Sequence, residues 1–292
     1  MRIKLKLLLV CLLLLLGTSG PLHAQLLSIV PGPLGLDSSL RLEYLVGTQS
    51  LRSIDAGISP VHGFLTQFDP QLAVVSGAME WSPFAVASAR FAGAISIVEP
   101  DMCATRQRPG GTATELDWQT HPEYGYWEVA GLYHLHSGGG YRFSVTAGYR
   151  QETWNYVGSL DAGGGDLTDR HTSRIPLIGL QTAMFFPWWK ARFEVLGSPF
   201  MSRSVSLFMR PDSTAYEQRV ELSSGGLIEF QCEGTVNVRP YCWLGLSGRF
   251  HYEELYGNSS GGTSPPVSWN YGDRFYARES FASIGLNFNL VY

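Results

Sequence analysis

Apolar and polar residues alternate with a period of two along most of the chain beyond residue 24, the spacing that gives a β-strand one oily and one polar face. In 141–151 the residues Tyr141, Phe143, Val145, Ala147 and Tyr149 share a face, and Arg142, Ser144, Thr146 and Arg150 take the other. In 228–239 the two rows are Ile228, Phe230, Cys232, Val236 and Val238 against Glu229, Gln231, Glu233, Thr235, Asn237 and Arg239. The final segment repeats the pattern, with Ala282, Ile284, Leu286, Phe288, Leu290 and Tyr292 opposite Ser283, Gly285, Asn287 and Asn289. Unpartnered polar groups buried in a dry sandwich core cost roughly 2–7 kcal/mol each. A membrane barrel removes that cost, because the apolar row meets lipid and the polar row faces a lumen where water and mutual pairing satisfy it.

This pattern predicts an all-β, transmembrane, antiparallel up-and-down barrel of about ten strands, near 39–49, 65–81, 84–97, 124–136, 141–156, 173–186, 189–209, 217–236, 241–256 and 274–292. Tight turns are expected at Ser82-Pro83, 137–140, Pro187-Trp188 and 237–240, and longer connections at 50–64, 98–123, 157–172, 210–216 and 257–273. Short periplasmic turns and long outer loops have that rhythm. An aromatic last residue on an alternating strand is also what the outer-membrane assembly machinery typically reads. Trp127, Tyr133, Trp188, Trp189, Trp243 and Tyr292 are expected to form the interfacial girdles.

The first 24 residues read as a signal peptide: Arg2, Lys4 and Lys6 precede an apolar run over 7–16, then small residues lead to Leu22-His23-Ala24. The run is too short to cross a bilayer as a helix, which needs about 20 residues. Residues 25–292 would then form a single domain in a Gram-negative outer membrane. Removing the three basic residues leaves 18 basic against 25 acidic, a net charge of −7, which disfavours nucleic acid. Charged residues make up 16% of the chain, well under the ~25% of soluble domains. Beyond the leader lie Cys103, Cys232 and Cys242, without metal spacing; a Cys232–Cys242 bridge and unpaired apolar cysteines both fit. No nucleotide, zinc-helix or calcium motif is present, and no cofactor is expected. Asp166 and Asp169, beside a run of glycines, could share a cation or simply be solvated.

Several segments resemble the omptins, ten-stranded outer-membrane proteases: Phe68-Asp69, Val74 to Trp81, Glu115-Leu116-Asp117-Trp118 with His121-Pro122, Tyr141-Arg142, Ala147-Gly148-Tyr149, and Ile175 to Leu180. They occur in the family's order. The resemblance implies an endopeptidase in which an acidic pair and an Asp-x-His arrangement across the barrel mouth activate a water. Glu115 and Asp117 match the acidic pair, with Glu115 in place of an Asp. The stretch matching Asp-x-His, 208–218, offers Asp212 and no histidine. A His supplies the usual base at neutral pH, with an unperturbed pKa of ~6.5, so His121, His171 and His251 are the candidate substitutes. Leu51 stands before Arg52 where the family keeps an acid for basic side chains. Of the family's lipopolysaccharide cluster Tyr149 survives, while its Glu and Arg become Gln151 and Thr153.

Three functions follow as expectations. The first is a non-proteolytic surface binding or structural barrel, contacting outer-membrane lipid, lipopolysaccharide and a peptide or host-surface ligand. The second is a diverged endopeptidase using Glu115, Asp117 and a relocated His. The third is a small channel, although inward charges of both signs, such as Arg142, Arg150, Lys190, Arg192, Glu194, Glu229, Glu233, Arg249, His251 and Glu253, favour a salt-bridged plug.

Overall fold

The computed structural model describes residues 35–54, 64–84, 86–98, 102–106, 116–160, 166–210, 216–239, 241–262 and 273–291. The expected leader and the residues Glu115, Asp212 and Tyr292 lie outside these. Thirteen strand segments are present: β1 (Leu36–Ser53), β2 (Phe64–Phe68), β3 (Gln71–Phe84), β4 (Ala87–Val98), β5 (Met102–Arg106), β6 (Leu116–Gly138), β7 (Tyr141–Leu160), β8 (Asp166–Phe185), β9 (Trp189–Ser198), β10 (Ser202–Arg210), β11 (Tyr216–Arg239), β12 (Cys242–Gly262) and β13 (Arg274–Val291). They make ten walls, because β2 with β3, β4 with β5, and β9 with β10 are each one interrupted wall strand. Pro70 sits at the first of these breaks and Pro199 at the last, where a residue without an amide proton cannot extend the ladder. All pairings are antiparallel, and β13 closes the ring against β1 from Asp37↔Val291 to Ser53↔Phe275.

Tight connections gather at one end. The β6–β7 turn is Gly139-Gly140, both at positive φ (59° and 82°), as a two-residue hairpin turn requires. A Cβ on Gly140 would also meet the Phe185 carbonyl at 2.9 Å. The first tight turn falls beyond Phe84, so Ser82-Pro83 belongs to β3 and not to a turn. Pro83 is tolerated there because β3 is ending and its pairing with β4 is already irregular between Trp81 and Phe84.

The outward face carries an apolar belt. Along β6 it comprises Trp127, Val129, Gly131, Tyr133 and Leu135, and along β13 Ala282, Ile284, Leu286 and Phe288. Ile284 and Leu286 are 64% and 63% exposed. Eight residues at ~3.4 Å each, tilted by ~40°, give a height of about 20 Å, near the ~25 Å apolar band of membrane barrels. Trp127, Tyr133 and Trp188 rim this belt. Trp243 does not: it is buried, with the Lys190 ammonium 4.5 Å from its ring centre. Its position on β12 is out of phase with outward Leu244 and Leu246, so alternation outranks aromatic character there.

Strands of 24, 23 and 21 residues (β11, β6 and β12) far exceed the ~9–11 needed to span a bilayer. They continue past the belt at the end opposite the tight turns, converting much of the expected loops 98–123, 157–172 and 257–273 into wall. Outward residues there are mostly polar, among them His121, Glu123, Thr153, Asn155, Arg170, Arg174, Arg219 and Glu221. The lipid-driven alternation is lost where no lipid is met, which is why the sequence pattern stops short of the strand ends. Cys232 and Cys242 are both free thiols.

Candidate functional site in the outer half of the lumen

Alternation sends every second side chain of these strands into the lumen, and the inward row is dense in ions. Nearest the tight turns, Glu80 receives hydrogen bonds from Ser88 and Arg142, and Glu233 from Arg41 and Asn289. Two voids in this region measure about 20 Å³ each, space for roughly one water apiece.

At mid-height Arg90 donates to Glu128 (2.8 Å) and Glu194 (2.7 Å), and Arg150 donates to Glu128 (2.7 Å) and Glu229 (2.8 Å). Arg249 also donates to Glu229, at 2.6 Å. These side chains come from six different walls, β4, β6, β7, β9, β11 and β12, so the network ties the barrel across its diameter. Arg150 and Glu229 are fully buried. Charges so deeply placed persist only when paired and hydrogen-bonded.

Above this layer, His251 on β12 directs Nδ1 at Glu229 Oε2 (3.0 Å) and Nε2 at Glu253 Oε2 (3.6 Å) and Glu279 Oε1 (3.9 Å). Arg203 donates to Glu279 at 2.7 Å and to Ser173 at 2.7 Å, and forms an ion pair with Glu253 at 2.8 Å. The Trp154 indole donates to both Glu152 (3.1 Å) and Glu279 (3.0 Å), and Gln49 donates to Glu279 (2.6 Å). Still nearer the outer end, His171 Nε2 lies 2.8 Å from Asp169 Oδ1, in a contact not aligned as a hydrogen bond. Tyr156 sits beside them, its ring 6.0 Å from the His171 ring and stacked on Phe68 at 3.7 Å.

Among the described residues, the inward side chains around the Asp169–His171 pair are mostly apolar. Leu51, Phe68, Val205, Leu207, Val220, Leu222, Leu255 and Phe275 are inward and buried, forming one cluster with Trp154 and Tyr156. The plug is a feature that the sequence reading missed. Its signal was the inward phase of Val205, Leu207, Val220 and Leu222 on strand ends that were read as neighbours of loops.

The candidate residues are distributed differently from the expected protease. Asp117 lies on β6 in register with Thr105 of β5. His121 faces outward on β6, away from the lumen. His171 is on β8, not on a solvated loop, and is 1% exposed; His251 is wholly buried. Asp166 and Asp169 cannot share a cation, because they point to opposite faces of β8: Asp166 pairs with exposed Arg210, and Asp169 faces the lumen. Tyr149 is outward and half-buried on β7, its ring 5.4 Å from Trp127. Its neighbours on that surface are Gln151 and Thr153, with Arg174 of β8 in register with Gln151.

No protein-family model and no curated protein sequence matches the chain. Among solved structures, the outer membrane protease OmpT from Escherichia coli superposes with a TM-score of 0.70 over 88% of this chain and 97% of that one, at 14% identity. The translocator domain of the autotransporter NalP from Neisseria meningitidis aligns at a TM-score of 0.37 and 8% identity, over 90% of this chain and 92% of that chain. A TodX monoaromatic hydrocarbon channel mutant aligns at 0.36 and 7%, over 89% and 91%. The chain therefore has the fold of a ten-stranded outer-membrane β-barrel, of the same architecture as OmpT.

Proposed function

We propose that the mature chain is an integral outer-membrane barrel, exported behind residues 1–24, that serves as a non-proteolytic surface binding or structural protein. The observation that carries this reading is the filled lumen: an ion-paired layer at mid-height and an apolar plug at the outer end. General-base catalysis needs an imidazole within reach of a substrate proton or its water. Among the described residues, the inward histidines of the outer half, His171 and His251, are instead sealed inside. The family-matched stretch 208–218 contains no imidazole to replace them. A filled lumen equally disfavours the channel reading. The polar outward surface above the belt, with Arg174 in register with Gln151 beside Tyr149 and Arg170 farther out on β8, suits the headgroups of lipopolysaccharide, and the long outer connections are where a peptide or host-surface ligand would dock.

One observation favours a second reading, a diverged omptin-like endopeptidase. Asp169 and His171 form a carboxylate–imidazole pair on the outer half of β8, on the same barrel as Glu115 and Asp117. The two readings separate in one assay, in which the detergent-refolded mature chain with added lipopolysaccharide is offered a panel of basic peptides. The expected result is no cleavage above buffer. Cleavage that disappears in Asp117→Ala and in His171→Gln would overturn the non-proteolytic reading and assign the base.

A further inference from the structure

We infer that His251, Glu253 and Glu279, with Glu152, form a binding site for a divalent first-row transition-metal ion of the zinc class inside the barrel. Nε2 of His251 and Oε2 of Glu253 are both buried and have no hydrogen-bond partner, although they face each other at 3.6 Å. Glu279 Oε1 approaches the same nitrogen at 3.9 Å. One ligand atom from each of Glu152, His251 and Glu279 falls within 4.8 Å of the other two. These separations are too long for N–H···O bonds. Two ligand atoms each ~2.1 Å from a tetrahedral ion stand about 3.4 Å apart, close to the spacing seen.

The orientation of the ring supports the same conclusion. Nδ1 is 3.0 Å from Glu229 Oε2, and Glu229 is itself held by Arg150 and Arg249, so it remains a pure acceptor. Nδ1 therefore carries a proton, and Nε2, with no hydrogen-bond partner, faces two carboxylate oxygens. Wherever Nε2 keeps its lone pair, three acceptors converge on one point and a cation between them satisfies all three. A carboxylate bound to the far nitrogen is also the arrangement that orients metal-ligating histidines. Arg203 holds the far oxygens of both Glu253 and Glu279, Oε1 and Oε2 respectively, while the Trp154 indole donates to Glu152 Oε1 and to Glu279 Oε1 and so fixes their positions.

Charge points the same way. Among the described residues, this chain of contacts joins Glu128, Glu152, Glu194, Glu229, Glu253 and Glu279 to Arg90, Arg150, Arg203 and Arg249. Six carboxylates against four guanidiniums leave an excess of two negative charges before His251 is counted, and a divalent ion cancels it. One nitrogen with carboxylate oxygens is a ligand set that suits zinc better than calcium or magnesium, which take oxygen alone.

The test loads the mature chain with zinc during refolding, because the ligands are sealed once the barrel closes, and then removes free metal by dialysis. Folding is verified by the electrophoretic shift of unheated barrel. The expected result is one zinc per folded chain, with a zinc-edge X-ray absorption spectrum of nitrogen and oxygen scatterers including a single imidazole. His251→Gln should abolish retention, and Glu229→Gln, which removes no ligand, should weaken it by roughly 10–100-fold. Absence of zinc from folded wild-type chain would overturn the site, leaving a proton on His251 as the cation. Sulfur scattering from Cys232 or Cys242, or zinc retained undiminished by His251→Gln, would overturn it equally. The wild-type spectrum decides the matter even if a variant fails to fold.

Discussion

Replacing Arg150 with Ala is expected to destabilise the barrel by about 3–5 kcal/mol, the range seen when one partner of a buried ion pair is removed. Arg150 makes four hydrogen bonds, two to Glu128 and two to Glu229, and is fully buried. Its loss leaves each partner one guanidinium, Arg90 for Glu128 and Arg249 for Glu229, but the centre of the lumen gains an uncompensated negative charge. The measurement is equilibrium unfolding in urea from lipid vesicles, read by the electrophoretic shift. Arg210→Ala is the control: its pair with Asp166 is about half exposed on both sides, and such pairs contribute at most ~1 kcal/mol. Neutralising Glu128 in the Arg150→Ala background, which leaves Arg90 paired with Glu194, should recover much of the loss, because the cost lies in unpaired charge more than in the pair itself.

Leu286→Arg is expected to cost about 2–4 kcal/mol and to lower the yield of folded barrel, as a charge on the lipid face near the bilayer midplane does. Leu286 is 63% exposed in the middle of the outward row of β13. On a water-facing surface the same change would be nearly neutral, so the experiment discriminates between lipid and solvent at that face. Glu221→Arg, also outward but beyond the belt on β11, should shift stability by no more than ~1 kcal/mol. Equal effects at the two positions would place the belt in water.

The ten walls were legible because lipid imposes alternation on the outward row, as in Ala282 to Phe288, and the closed lumen imposes polarity on the other, as in Glu229 to Thr235. What failed was confined to places where one of those pressures is absent. Residues 157–160 and 166–172 look loop-like because neither face meets lipid, yet they continue β7 and β8. Trp243 looks like an interfacial ring, but its phase on β12 sends it inward to Lys190. The candidate site was less legible still. His251 was visible as an inward residue, but its convergence with Glu152, Glu253 and Glu279 depends on register across β7, β12 and β13. Pairing of that kind is not written in any local segment. The Asp169–His171 pair could have been found from the Asp-x-His spacing alone, which on a strand puts both side chains on one face.

The claim that lipid meets the outer face while the lumen is sealed is tested most directly by fluorescence quenching of two chains in bilayers. In one, Trp127 is the sole tryptophan; in the other, Trp154 is. Trp127 is 47% exposed on the outward belt, and Trp154 is 1% exposed inside the lumen. The predicted result is strong quenching of Trp127 by lipids brominated high on the acyl chain, with Trp154 insensitive both to those lipids and to aqueous iodide. Trp154 quenched by iodide in the folded barrel would reveal an open lumen, and Trp127 unaffected by brominated lipid would contradict the membrane-facing belt.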